Sequence, residues 1–287
     1  MSSIRTGGQL CYRARVASEP KEATTVEDWA EAYVLADSFD AKLAPPACPK
    51  VFARDVLATR LTSPGRGVQF RCSPSGIKNL KSTGKSPLAG DLRRLRLIHT
   101  FLHHELQAAE LFAWAILAFP RAPEAMRRGF LTILHEEIRH MNLYADLLRS
   151  RGIALGDFPV RDWFWERVPL APDELAFIAT LGIGFEGGNL DHATRFASRF
   201  EAAGDLEAAR VQTIVGREEV GHVRFALRWF RELSPELARG ATLFDAFRAV
   251  LPAPLTPILM RGVPLDEPSR KRAGFDAEFL DALAIYA

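Results

Sequence analysis

Apolar positions along the middle of the chain recur every three or four residues, the period of a helix with one buried face. Four long segments carry this pattern. The first runs from about Asp91 to Phe119 and stops at "FPRAP", where two prolines forbid continuation. The second runs from about Pro123 to Arg151 and ends at Gly152, a residue suited to the left-handed stop. Asp173 is well placed to cap a third segment reaching about Ala203, and the fourth spans about Leu206 to Leu233 before "SPE". Short loops join the first pair and the second pair, whereas "GIALGDFPVRDWFWERVPLA" separates the second segment from the third.

Two helical hairpins joined by one long crossover is the connectivity of ferritin-like four-helix bundles, so the expected fold is all-α. Three regions follow: an N-terminal extension over 1–90, the bundle over 91–234, and a C-terminal wrapping tail with short helices over 235–287. The extension holds one helix that begins near Thr24, where a threonine is followed three residues later by an acid. The remainder of the extension, with "SPGRGVQFRCSPSGIKNLKSTGKSPLAG", reads as loop.

The stripes contain residues that resist burial. In the second helix Phe130, Leu134, Met141, Tyr144 and Leu148 share a face with Glu137, and His140 lies one turn on. In the fourth, Val215, Ala226 and Trp229 mark a stripe passing through Glu219 and His222. The third contributes Glu186, in line with Ile178, Gly182 and Leu190. The first contributes Glu105, with Leu102, Ala109, Phe112 and Ile116. Glu110 competes for that role, although it points about 140° away at about 100° per residue and sits on the smaller stripe.

Four buried carboxylates repel one another and cost several kcal/mol each to desolvate. Two divalent metals would bring their net charge to zero. Oxygen ligands with two imidazoles suit iron or manganese, and Glu with Glu-x-x-His, used twice, is the di-metal pattern of four-helix bundles. A single Glu-x-x-His is weak evidence, because exposed glutamates and satisfied core histidines are common. The signal here is the placement: one pair on each even helix and one inward acid on each odd one.

The other candidates divide between function and packing. Glu136 and Glu218 adjoin the proposed ligands one step off register and are read as solvated or supporting residues. Asp191 and His192, with Glu110, could orient a ligand, and a polar contact at the bundle end is an equal reading for the first two. His103 and His104 are read as packing residues. Gly182, Gly184, Gly187 and Gly188 around Glu186 serve either close packing or space for dioxygen and substrate. Trp163, Phe164 and Trp165 could line a pocket, with sealing of the bundle slightly favoured.

Bulk properties exclude more than they assign. The 287 residues are 48% hydrophobic and 25% charged with a net charge of +2, as in an ordinary soluble protein. No apolar run long enough for a signal peptide or a membrane span occurs, so a cytoplasmic protein without a membrane partner is expected. Cys11, Cys48 and Cys72 form no C-x-x-C pair and are read as incidental. The basic cluster Lys78, Lys81, Lys85, Arg93, Arg94 and Arg96 could contact nucleic acid, but the small net charge favours a solvated surface.

The motifs carry a resemblance as well. "HELQAAEL" resembles the opening of the first metal-binding helix in bacterioferritin and rubrerythrin, and "EEIRHMNLYADLLRSRG" resembles the second such helix of bacterioferritin. Together "HHELQAAELFAWAILAFP", "FEGGNLDHATRFASRF" and "EEVGHVRFALRWF" look like a bacterial ferritin-like family of unknown function. That family is distantly similar to a di-iron hydroxylase acting on a modified tRNA base. The match covers most of 91–233 and the preceding "PGR". It implies a dinuclear site and maps the ligands onto Glu105, Glu137, His140, Glu186, Glu219 and His222. No substrate is implied.

The resulting expectation is a non-haem dinuclear oxidase or monooxygenase. Its cofactors would be two iron ions, with Fe/Mn or Mn/Mn compatible, and dioxygen would be co-substrate. A small organic substrate and an external electron donor are the expected partners, and the protein is expected to be a monomer or dimer. The alternative is a ferritin-like ferroxidase or iron-binding protein without organic substrate.

Overall fold

Local signals start and stop the elements of the computed structural model, which describes residues 23–73, 88 and 90–286. Thr25 caps α1 (Val26–Leu35) through a reciprocal exchange with Asp28, and Ser38 starts a separate α2 (Phe39–Leu43), so the extension holds two helices where one was expected. The first bundle helix, α3 (Asp91–Ala118), ends before the predicted prolines. The second, α4 (Glu124–Arg149), begins directly after Pro123, and Gly152 adopts a positive φ of 71° just beyond its end. Apart from one isolated bridge between Cys72 and Val160, no strand occurs among the described residues.

The third bundle rod is continuous from residue 174 to 202 but is not uniform. It opens as α5 (Glu174–Phe177) under an Asp173 cap, widens to a π-helix over Ile178–Phe185, and resumes as α6 (Glu186–Ala202). The π segment ends immediately before Glu186, and such widenings often mark functional positions. The sequence pattern predicts a helix here, but not the change of pitch. Two of its glycines meet close neighbours: a Cβ on Gly182 would lie 2.5 Å from the Ala226 Cβ, and one on Gly184 would lie 2.5 Å from the Met260 Sδ. Close packing is therefore the role of these two.

Asp205 caps α7 (Leu206–Leu233) and holds Arg151 at the end of α4 through a two-point ion pair, with distances of 2.7 Å. The principal packings are α3 on α4 and α6 on α7, with α4 against α7 between the hairpins. The predicted connectivity of two hairpins and one crossover is present. The chain then forms α8 (Pro235–Ala238), α9 (Leu243–Val250), α10 (Glu267–Ala273) and α11 (Ala277–Ile285). The α1 helix packs on α3, and α10 packs on α7 and α6. Buried residues of both extensions, including Trp29 and Phe279, join the hydrophobic cluster of the bundle. No helix among the described residues is long and apolar enough to cross a membrane.

Candidate metal centre

Burial of Glu137, His140, Glu219 and His222 follows from their position on the inward stripes of α4 and α7, where none exceeds 1% exposure. Glu105 on α3 and Glu186 on α6 reach the same interior and are buried as well. Each oxygen of Glu137 faces a different histidine: Oε1 is 2.9 Å from His222 Nδ1, and Oε2 is 3.3 Å from His140 Nδ1. Glu219 does the same, with Oε2 at 3.1 Å from His222 Nδ1 and Oε1 at 3.6 Å from His140 Nδ1. Glu105 approaches His140 Nδ1 at 3.5 Å. Two ligand groups result, Glu105/Glu137/His140/Glu219 and Glu137/Glu186/Glu219/His222, and the ligand atoms within each lie inside 4.8 Å of one another. Glu137 and Glu219 belong to both.

The outer nitrogen of each imidazole is held across the bundle. His140 Nε2 donates to Glu218 Oε2 on α7 at 2.7 Å, and His222 Nε2 donates to Glu136 Oε2 on α4 at 2.7 Å. The doublets in "EEIRH" and "EEVGH" therefore divide their work. The second glutamate of each faces the cluster, and the first fixes the histidine of the opposite helix so that its Nδ1 points inward. This supporting role agrees with the off-register position of Glu136 and Glu218 in sequence.

Without metal, the cluster balances its charge by shifting the proton affinities of its own members. Burial pushes Glu105 and Glu186 well above the usual carboxylate range, and repulsion from Glu137 and Glu219 adds to it. Burial acts on Glu137 in the same sense but is outweighed by His222 and His140, which hold this carboxyl low. For both histidines burial disfavours the cation, yet the surrounding carboxylates prevail and keep them well above the ordinary range. Glu137 Oε1 and Glu219 Oε1 are fully buried and face only the inward Nδ1 atoms, at 2.9 Å from His222 and 3.6 Å from His140 respectively. Oxygens so placed, with two inward imidazole nitrogens, are the donor set that a pair of divalent first-row metals accepts.

Glu110 belongs elsewhere. Its carboxylate pairs with Lys42 at 2.8 Å and with Arg66 at 2.5 and 2.7 Å, and it accepts the indole N–H of Trp165 at 2.8 Å. Arg66 also binds Asp162, which lies 3.0 Å from His103 Nε2. Burial would raise Glu110, but Arg66 and Lys42 outweigh it and hold the carboxyl below its usual range. Of the two α3 acids, Glu105 converges on the cluster and Glu110 anchors the N-terminal extension. Arg66 comes from the "PGR" loop and Lys42 from α2, where nothing in the local pattern marks a partner for α3.

Asp191 does not touch the cluster either. It accepts from Arg270 Nε and Nη2 at 2.9 and 2.8 Å and from the backbone N–H groups of Gly262 and Asp266, which ties the C-terminal tail onto α6. His192 accepts a 2.7 Å contact from Arg195 at Nδ1 rather than supporting a ligand histidine. Lys78, Lys81, Lys85 and Cys11 lie outside the described residues. Arg94 pairs with Asp91 and Asp205, and Arg96 sits over the Phe158 ring.

A cavity of about 270 Å³ reaches the cluster beside Glu105 and Glu186. Trp163 and Phe164 of the crossover and Phe185 from the end of the π segment form its aromatic wall. Phe164 stacks on Phe185 at 4.9 Å and on His104 at 5.0 Å. Trp163 and Phe164 thus bound a pocket, whereas Trp165 seals the interior. Phe185 and Leu259 were invisible as pocket residues in the sequence, because their membership depends on where the crossover and the tail return.

The described residues define an all-α helical bundle with a buried acid and histidine cluster able to hold metal. The chain belongs to the family described as "Protein of unknown function (DUF455)", whose model matches residues 25–281. It is also similar to an uncharacterized protein of Haemophilus influenzae, with 27% identity over 192 residues, covering 64% of this chain. The chain spans 65% of the length of that curated relative. No solved structure matches.

Proposed function

We propose that this protein is a ferritin-like non-haem dinuclear oxidase or monooxygenase that uses two iron ions, or an Fe/Mn or Mn/Mn pair, and dioxygen. The observation that carries this reading is the double ligand set itself, in which Glu137 and Glu219 are common to both groups. Glu105 and His140 would complete one metal position, and Glu186 and His222 the other. Bound there in reduced form, such a pair would supply the electrons that activate dioxygen. For a monooxygenase, substrate, dioxygen, two electrons and two protons give the hydroxylated product and one water, so an external electron donor is required.

The chain's own residues do the positioning. Glu136 and Glu218 hold the two imidazoles by their Nε2–H groups and keep each Nδ1 lone pair directed inward when the ring is neutral. The aromatic wall excludes water and leaves room for a molecule beside Glu105 and Glu186. That adjoining cavity favours an organic substrate over iron storage, because storage needs no apolar pocket.

The test is metal content per chain after anaerobic purification, followed by dioxygen uptake of the reduced protein. We expect close to two iron or manganese ions per chain and dioxygen consumption that depends on them. Absence of bound transition metal would overturn the whole reading. Bound metal with no dioxygen uptake would leave a metal site and remove the oxidase.

A further inference from the structure

Among the described residues twelve line the cavity beside the cluster, and none of these is a lysine, arginine or aspartate. Its only acids are Glu105 and Glu186, which belong to the metal set. The remaining polar groups are His104, Asn189 and His192, while Trp163, Phe164 and Phe185 supply a run of packed rings with centroid separations of 4.9 to 5.7 Å. Aromatic faces and edges of this kind favour a flat π system. Binding pockets for drug-sized ligands span ~300–1,000 Å³. The volume of about 270 Å³ falls just below that range.

We infer that the cavity binds an uncharged aromatic or heteroaromatic molecule of one or two fused rings. This rests on the reading of the site as a metal-dependent oxygenase and supplies its substrate class. Anions find no cation among the lining residues. Cations find only carboxylates that the metals would neutralise. The polar residues can still select among neutral rings, since an amide and imidazole nitrogens offer both donors and acceptors. Burial lowers the His192 imidazole to about 4, and Arg195, 2.7 Å from its Nδ1, acts in the same direction. A ring nitrogen, N–H or hydroxyl on the ligand would therefore meet a partner without meeting a charge.

Shape control comes from two sides. Ala108 is a buried α3 residue at the cavity wall, one turn from Glu105. Leu259 belongs to the tail and is 51% exposed at the cavity rim. A larger side chain at Ala108 would fill the interior, and one at Leu259 would obstruct the entrance without disturbing the core.

Calorimetric titration at pH 7.5 of the metal-loaded protein with quinoline and indole, and with 2-naphthoate and 2-naphthylmethylammonium, tests the inference. The expected result is at least tenfold tighter binding of the neutral probes than of either ion. Ala108→Phe and Leu259→Trp should each weaken that binding at least tenfold while metal content per chain stays at the wild-type value. Equal or tighter binding of an ion, no binding of the neutral probes, or undiminished binding by a folded Leu259→Trp protein would overturn it. Failure here with two metals bound leaves the metal centre standing. Probe binding by a protein that takes up no metal would instead remove the oxygenase reading and keep the pocket.

Discussion

Glu105 and Glu110 are buried on the same helix, five residues apart in sequence, and the protein answers them by opposite means. Around Glu110 the chain supplies its own cations, Lys42 and Arg66, together with an indole N–H, so the carboxylate stays ionised inside the fold. Around Glu105 it supplies three more carboxylates and two histidines, and no lysine or arginine among the ligand groups. A buried acid matched by arginine and lysine is structural. A buried acid surrounded by other acids must either hold its proton or meet a positive charge, and bound metal would supply that charge.

That contrast can be broken most severely at the cluster. Replacing Glu137 and His222 together by alanine should reduce metal content from about two ions per chain, the stoichiometry of di-metal carboxylate bundles, to essentially none, read by elemental analysis. Glu110→Ala should leave metal content per folded chain unchanged. Because it strands Lys42 and Arg66 inside the protein, it should cost about 3–5 kcal/mol of stability in urea unfolding. If Glu110→Ala lost metal and kept its stability, the division between the two acids would be wrong.

A smaller effect is expected at the residues that support the histidines. Glu136→Gln and Glu218→Gln should each weaken metal affinity roughly 10–100-fold, the usual cost of removing such a partner, with little change in the metal-free protein's unfolding midpoint. Competition with a chelator measures this directly.

The weakest effect concerns acid. Burial would raise Asp162, but hydrogen bonds from His103 and Arg66 outweigh it, and Asp162, like Glu110, is held below its usual range. Groups depressed in the folded state contribute stability that is complete above their unfolded pKa, about 4. This contribution is lost as pH falls through that value toward the folded one. Urea titrations at pH 7, 5 and 3 should show it, and Glu110→Ala should flatten the loss at the acid end.

Much of this arrangement could be read locally. The helix limits followed from Pro120, Pro123, Gly152 and Asp173, and the inward direction of Glu137, His140, Glu219 and His222 followed from helical spacing. The choice between Glu105 and Glu110 was only weakly legible, because each lies on an apolar face of a helix buried nearly all round. The π segment before Glu186 was not legible, since its pitch depends on how Gly182 and Gly184 meet Ala226 and Met260. Asp191 offered a plausible support for a ligand until the tail arrived with Arg270.

By itself the sequence determined the four long helical segments of the bundle, which face of each is apolar, and which acids and histidines share that face. These are properties of spacing within one element, where the backbone period sets direction. Only the tertiary structure decided which buried carboxylate meets a cation from the chain. It also decided which histidine each glutamate of a doublet supports, and that Trp163, Phe164, Phe185 and Leu259 bound one cavity. Those outcomes depend on contacts between segments distant in sequence, and the local pattern of neither segment specifies its partner.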